Sequence, residues 1–156
     1  MNATRIVRVL LVDNDLGALH SLKHSLRNQE RATAAYLKKI APDIELDYLA
    51  AQDSVTAIKI FQEQRPHIGL VKVIVNTPYS FTSLKDEPGI LLINSIKEIN
   101  DTTKFIAYCV CSPEPRLYYL LKELGADDCI PNYANPRFTA VKLLLMVWEY
   151  GLNRIP

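Results

Sequence analysis

Apolar positions follow two alternating rhythms along this chain. "IVRVLLV" (6–12) is a nearly continuous β-branched and leucine run, the pattern of a strand covered on both faces. Leu16, Leu19, Leu22 and Leu26 then recur at intervals of three and four, which predicts one buried face of a helix. The alternation repeats. "IELDYLA" (44–50) reads as a second strand, and Asp53 as the cap of a helix carrying Val55, Ile58 and Phe61. That helix ends before Arg65-Pro66, because proline disfavours helical geometry in the residue preceding it. "IGLVKVIV" (68–75) is the third strand, "GILLINSIKEI" (89–99) the third helix and "FIAYCVC" (105–111) the fourth strand. Ser112-Pro113 opens a helix with Leu117, Leu120, Leu121 and Leu124 on one face, closed by Gly125. "DDCIP" is a short fifth strand, and Asn135-Pro136 starts a last helix running to about Tyr150.

Strand and helix in strict alternation call for a parallel sheet with right-handed crossovers and helices on both faces. The expected fold is a doubly wound α/β domain with five strands. In such sheets the functional crevice lies beyond the carboxyl ends of the strands. The positions to inspect are therefore Asp13, Asn14 and Asp15 after the first strand, Asn76 and Thr77 after the third, Cys111 and Ser112 after the fourth, and Asn132 after the fifth. None of these corners is glycine-rich, so nucleotide binding of the Rossmann or P-loop type is not expected.

Composition narrows the picture. A chain of 156 residues, 49% apolar, is the size of one domain with one well-formed core. Its formal charge of +1 comes from a near balance of both signs with no charged tail, which points to neither nucleic acid nor a membrane surface as partner. No stretch approaches the roughly 20 apolar residues of a membrane helix, and the start of the chain does not resemble a signal sequence, so a cytoplasmic protein is expected. The cysteine count is odd, and Cys109 and Cys111 fall in a buried strand, where they read as small core residues. His20 and His24 are spaced to share a metal on a helix but have no third ligand nearby, and His67 at the third strand's entrance suggests no chemistry.

Three stretches carry a resemblance: "VLLVDND", "AAQDSVTAIKIFQEQRP" and "LKELGADDCIPNYANP". Together they resemble the receiver domain of two-component response regulators, the CheY-like fold with strand order 2-1-3-4-5. The resemblance implies phosphoryl transfer from a phosphohistidine to an aspartate ending the third strand. It also implies an acidic pair holding Mg²⁺, a hydroxyl ending the fourth strand and a lysine ending the fifth. A carboxylate accepts a dianionic group only where a cation and fixed donors offset the gathering charge.

This chain departs from that set at most positions. Asp13 matches the first acidic place, but Asn14 stands at the second, a neutral ligand that weakens a hard cation site. For the acceptor, six residues on from Pro66 is Lys72, four back from Pro78 is Ile74, and the first polar residue past the apolar run is Asn76. Asn76 is the favoured equivalent, and none of the three is an aspartate. Val110 falls at the hydroxyl position, with Ser112 two places on, and Asn132 at the lysine position. Lys72 and Lys104 are not expected to compensate, since neither ends a strand. The pattern is that of a degenerate pseudo-receiver, its Asp13-Asn14-Asp15 corner kept as a stabilised turn with at most a weak Mg²⁺ site at Asp13.

Insertions at about 28–43 and 77–88 distinguish the chain from a minimal receiver. The first either continues the first helix, so that residues 16–40 span on the order of 37 Å and overhang the sheet, or folds back after a break near Asn28. An overhang leaves Tyr36, Leu37 and Ile40 in need of a partner. In the second insertion Tyr79 and Phe81 are placed to fold over the crevice. In the last helix Phe138, Val141, Leu144, Leu145 and Trp148 suffice for the core, leaving Leu143, Met146, Val147 and Tyr150 as interface candidates.

The expectation is a single-domain signalling protein, not an enzyme, that needs no cofactor, ignores aspartyl phosphate and acts through a protein partner, as a homodimer. With no output domain following the last helix, it is expected to act as an adaptor or as part of something longer. Two alternatives stand beside it: an atypical response regulator accepting phosphate or Mg²⁺ at Asp13 or Asp15, and a redox or small-ligand sensor using Cys109 and Cys111.

Overall fold

The strands form where the apolar runs are long enough to be covered twice, and the computed structural model orders them as the alternation requires. It describes residues 4–76, 79–100, 102–109 and 115–131, and, near the C-terminus, residues 140–142, 144–146 and 148–149. The elements are β1 (Arg5–Val12), α1 (Leu16–Ile40), β2 (Ile44–Ala51), α2 (Ser54–Gln64), β3 (Ile68–Val73), α3 (Phe81–Lys85), α4 (Pro88–Ile99), β4 (Lys104–Cys109), α5 (Pro115–Glu123) and β5 (Asp128–Pro131). Five parallel strands make one sheet in the order β2-β1-β3-β4-β5. The residues described between 140 and 149 are helical.

Side chains alternate across the sheet and build a core on each face. Val7, Val9 and Leu11 of β1 pack with Leu19, Leu22 and Leu26 of α1 and with Ala140 and Met146. Leu10 and Val12 turn the other way, into a larger cluster with Phe61 of α2, Ile90, Ile93 and Ile96 of α4, and Leu117 and Leu121 of α5. Among the described residues no helix is long and apolar enough to cross a membrane. Asp15 caps α1 through the Ala18 N–H and Asp53 caps α2 through the Thr56 N–H, so two of the strand-to-helix corners are held by carboxylates. Gly125 ends the helical segment after α5 with a φ of 119°, a conformation that L side chains rarely adopt.

Several elements differ from the sequence expectation. Of the two courses open to the first insertion, α1 takes the continuous one: 25 residues with no break at Asn28. An asparagine inside a helix costs only about 0.7 kcal/mol, and the alanine, lysine and arginine residues around it offset that cost; the helix stops only before Pro42. Strand β3 ends at Val73, two residues earlier than predicted, because the Ile74 N–H leaves the ladder and donates to Glu87 Oε1 at 3.2 Å. The segment expected to be a plain loop contains α3, whose N-terminus is a reciprocal Ser80–Ser83 capping box. Phe81 is exposed there, and Tyr79 packs against the larger core cluster. The last helix buries Leu144 as expected but departs from the predicted face at three other positions, and Phe138 lies outside the described residues. Met146, an interface candidate, is buried, whereas Leu145 and Val141, expected in the core, are exposed. Leu143, Val147 and Tyr150 lie outside the described residues.

His67, which suggests no chemistry in the sequence, closes the amino end of the sheet. Its backbone N–H donates to the Arg8 carbonyl at 2.9 Å, and its Nδ1 accepts the Arg8 N–H at 3.0 Å. That bond requires a lone pair on Nδ1, so the neutral ring is the one that fits; burial, with Arg8 adding to it, pushes the ring's pKa below 6.5. A base with a depressed folded pKa gives its full contribution above the unfolded value and loses it as the pH falls. The midpoint of urea unfolding is therefore expected to drop between about pH 7 and pH 5, and the His67→Gln variant, which keeps an acceptor but does not titrate, to show a smaller drop.

Candidate functional site

The parallel register places three polar side chains in a row at the carboxyl ends of β1, β3 and β4. Val12 pairs with Val71, so Asp13, the next residue, comes level with Lys72; Lys72 in turn pairs with Tyr108. The carboxylate of Asp13 is only 2% exposed. Its Oδ1 accepts the Asp15 N–H at 2.9 Å and the Lys72 ammonium at 3.2 Å, and its Oδ2 accepts the Tyr108 hydroxyl. Burial, reinforced by the adjacent Asp13, raises the Tyr108 pKa, so the phenol stays protonated and remains a donor. Lys72 Nζ also lies 3.5 Å from Asn14 Oδ1. The buried negative charge thus has a cation, a neutral hydroxyl and a backbone amide around it, and both of its oxygens are engaged.

Above this row is a cleft of about 270 Å³. Asp13, Asn14 and Lys72 line one side, Gln52, Asp53 and Ser54 at the start of α2 another, and Glu87, Pro88 and Gly89 at the start of α4 a third. Glu87 is nearly buried and serves as the N-cap of α4: its Oε2 accepts the Gly89 N–H at 2.7 Å and the Ile90 N–H at 3.1 Å, while Oε1 holds Ile74. Burial raises its pKa, and the three backbone donors pull against that rise. Gly89 is required by the same close approach, since a Cβ there would overlap the carbonyl oxygen of Lys72. The cleft therefore has carboxylates on its walls, but Asp53 and Glu87 are occupied in capping helices and Asp13 in pairing with Lys72.

The expected site residues separate on this frame. Asp13 and Asn14 line the cleft, whereas Asp15 turns away to cap α1. Asn76, the favoured acceptor equivalent, is exposed three residues past the end of β3 and does not line the cleft; nor do Tyr79 and Phe81, which were expected to cover it. Lys72, set aside in the sequence because it does not end a strand, is the penultimate residue of β3 and has its side chain in the site. Val110, Ser112 and Asn132, and with them Cys111, lie outside the described residues. Cys109 and Cys129 are buried with their Sγ atoms 3.8 Å apart. Tyr108 and Glu87 had no motif to mark them. The count of six residues from Pro66 did point to Lys72, and once Lys72 is placed, the strand register leads to Tyr108.

At the level of sequence the chain matches no protein-family model and no curated protein. Its structure is similar to the response regulator domain of Thermotoga maritima CheB, with a TM-score of 0.65 and 21% identity, over 97% of this chain and 100% of that one. A response regulator receiver domain protein (CheY-like) from Methanospirillum hungatei JF-1 superposes with a TM-score of 0.62 and 18% identity, over 94% of this chain and 98% of that one. The receiver domain of the Francisella response regulator 1452 does so with a TM-score of 0.64 and 14% identity, over 93% and 98%. With its strand order and its helices on both faces, the chain has the fold of the CheY-like response regulator receiver domains.

Proposed function

We propose that this chain is a single receiver-like signalling domain that acts in the cytoplasm through protein contacts, catalyses nothing itself and is not switched by aspartyl phosphate. The observation that carries this reading is the Lys72–Asp13 ion pair, at 3.2 Å. In a phosphate-accepting receiver the third strand ends in an aspartate and the first acidic corner helps hold Mg²⁺. Here an ammonium occupies the strand position, six residues from Pro66, and neutralises the corner directly. An ammonium is no nucleophile for phosphohistidine while it is protonated and paired.

The residues present do not fit a divalent cation. A hard cation needs several oxygen ligands free to turn towards it. Asp13 has both oxygens engaged, Asn14 is neutral, and a fixed positive charge sits within ion-pair distance of the place the metal would take. The same engagement argues against phosphorylation at Asp13, and capping of Ala18 argues against it at Asp15.

The test is titration of the isolated protein with Mg²⁺, then with beryllofluoride, followed in amide chemical shifts. The wild type is expected to show no saturable change at Asp13, Asn14 or Lys72. The Lys72→Asp variant exchanges a cation for a second carboxylate beside Asp13 and is expected to gain saturable Mg²⁺ binding. Saturable binding of both ions by the wild type, or an added phosphoryl mass after acetyl phosphate treatment, contradicts the proposal.

Self-association is proposed at the last helix, where Val141 and Leu145 are exposed and Leu145 has 66% of its surface open. Solution mass measured against concentration is expected to rise towards a dimer for the wild type and to stay monomeric for Leu145→Glu.

A further inference from the structure

At the amino end of the sheet, opposite the cleft, the carboxyl ends of α2 and α4 enclose another cavity, of about 280 Å³. Phe61, Gln62 and Arg65 line it from α2 and its C-cap, Ile99 and Asn100 from α4 and its C-cap. Phe61 is buried in the larger core cluster, whereas Ile99 has 54% of its surface open, so an apolar group can lie between them. Among the described residues no carboxylate lines the cavity and Arg65 is its sole cation. The Arg65 guanidinium forms no salt bridge with a described carboxylate.

The second observation is the backbone of Arg65. Among the described residues it is the sole one other than glycine with a positive φ, at φ 46° and ψ 66°. A left-handed helix cap is ordinarily glycine, because a Cβ is disfavoured there, and the following Pro66 restricts the residue before it further. The cap itself is a backbone bond, from the Arg65 N–H to the Phe61 carbonyl at 2.9 Å, and glycine would form it equally well. The conformation is held from the far side, where the Pro66 carbonyl accepts the Thr103 hydroxyl at 3.0 Å and the His67 N–H donates to the Arg8 carbonyl. A long side chain kept where the backbone favours none points to a use for that side chain. On the other wall Asn100 Oδ1 accepts both the N–H and the hydroxyl of Thr102, which fixes the amide and leaves its Nδ2 as a donor.

Guanidinium and amide donors beside two apolar side chains suit a carboxylate with an apolar body, since a guanidinium holds a carboxylate through two parallel bonds. A dianion such as a phosphate ester is disfavoured, because one cation faces it and the carbonyl ends of two helices, with their partial negative charge, meet at the cavity. The volume lies just below the range of about 300–1,000 Å³ that holds drug-sized ligands, so the ligand is small. We propose that this cavity binds a small monocarboxylic acid with an aromatic or branched aliphatic body, its carboxylate on Arg65 and Asn100 and its body between Phe61 and Ile99. The proposal does not rest on the reading of the cleft, so the Mg²⁺ titration and the experiment below fail separately.

The probes are phenylacetate and isovalerate, titrated into the full chain and followed in amide chemical shifts. Saturable changes are expected at residues 61–65 and 99–100 and not at Asp13, Asn14 or Lys72. Acetate, which lacks the body, and benzyl alcohol, which lacks the charge, should each bind about tenfold or more weakly than the two acids. Arg65→Gly is expected to weaken binding by about tenfold or more while the midpoint of urea unfolding stays level or rises, because glycine relieves the backbone. Arg65→Gln, which keeps the backbone conformation but not the charge, should lose binding to a similar extent at an unchanged midpoint. The proposal is overturned if neither acid binds saturably, if acetate or benzyl alcohol binds as well as the acids, or if the shift changes fall elsewhere. It is equally overturned if either variant binds like the wild type, or if Arg65→Gly lowers the urea midpoint, which would assign the side chain to the fold.

Discussion

A carboxylate buried at the top of a parallel sheet has to be compensated, and the way Asp13 is compensated determines what the site can do. Removing an ion from water costs several kcal/mol unless a counter-charge and hydrogen bonds replace the solvent. Asp13 receives all of these from within the chain: the Lys72 ammonium, the Tyr108 hydroxyl and the Asp15 amide. Each comes from a different segment, so the compensation depends on the register of β1 with β3 and of β3 with β4. The proposed function follows from this: a charge satisfied in this way would have little left to offer a metal or a phosphoryl group.

The surroundings of the cleft follow the same economy. Its other carboxylates, Asp53 and Glu87, complete helix starts, and Glu87 also ends β3 by taking the Ile74 amide. Groups that would supply chemistry in an open site are here structural, and the cleft retains its shape because they are. Among the described residues the exposed apolar side chains are spread over the outside, with Tyr36 on α1, Val55 on α2, Tyr119 on α5 and Leu145 on the last helix the most open. On the proposed reading, a domain whose buried Asp13 is paired within the chain and whose surface carries exposed apolar side chains is suited to recognition by other proteins.

The fold was legible in the sequence because its signals are local and repeated. The apolar runs, the Asp53 cap and the leucine spacing each specify an element without knowledge of its neighbours. The site was less so. Asp13 could be placed from its own strand, but Lys72 could be recognised only through the alignment of β3 with β1, and counting along the chain left it level with Ile74 and Asn76. Tyr108 reads as one more apolar residue in a buried strand until Lys72 is known to be its register partner. The register of the last helix was misjudged for a similar reason: a helix apolar on most of its faces does not state which one the sheet will bury, so Met146 and Leu145 exchanged roles. The continuous α1 turned on helix propensity, which favours neither course strongly near Asn28; the absence of proline before Pro42 and the bond from Tyr48 to Glu30 accompany the extended form.

The most direct measurement of the central claim is a double-mutant cycle between positions 13 and 72, using Asp13→Asn, Lys72→Met and the combined variant, with stability read from denaturant unfolding. If the ammonium compensates the buried carboxylate, each single change is costly, and the combined variant recovers a coupling energy of about 1–3 kcal/mol. Additive costs, with no coupling beyond about 0.3 kcal/mol, would mean that Asp13 is held by other groups and that Lys72 does not neutralise the pocket.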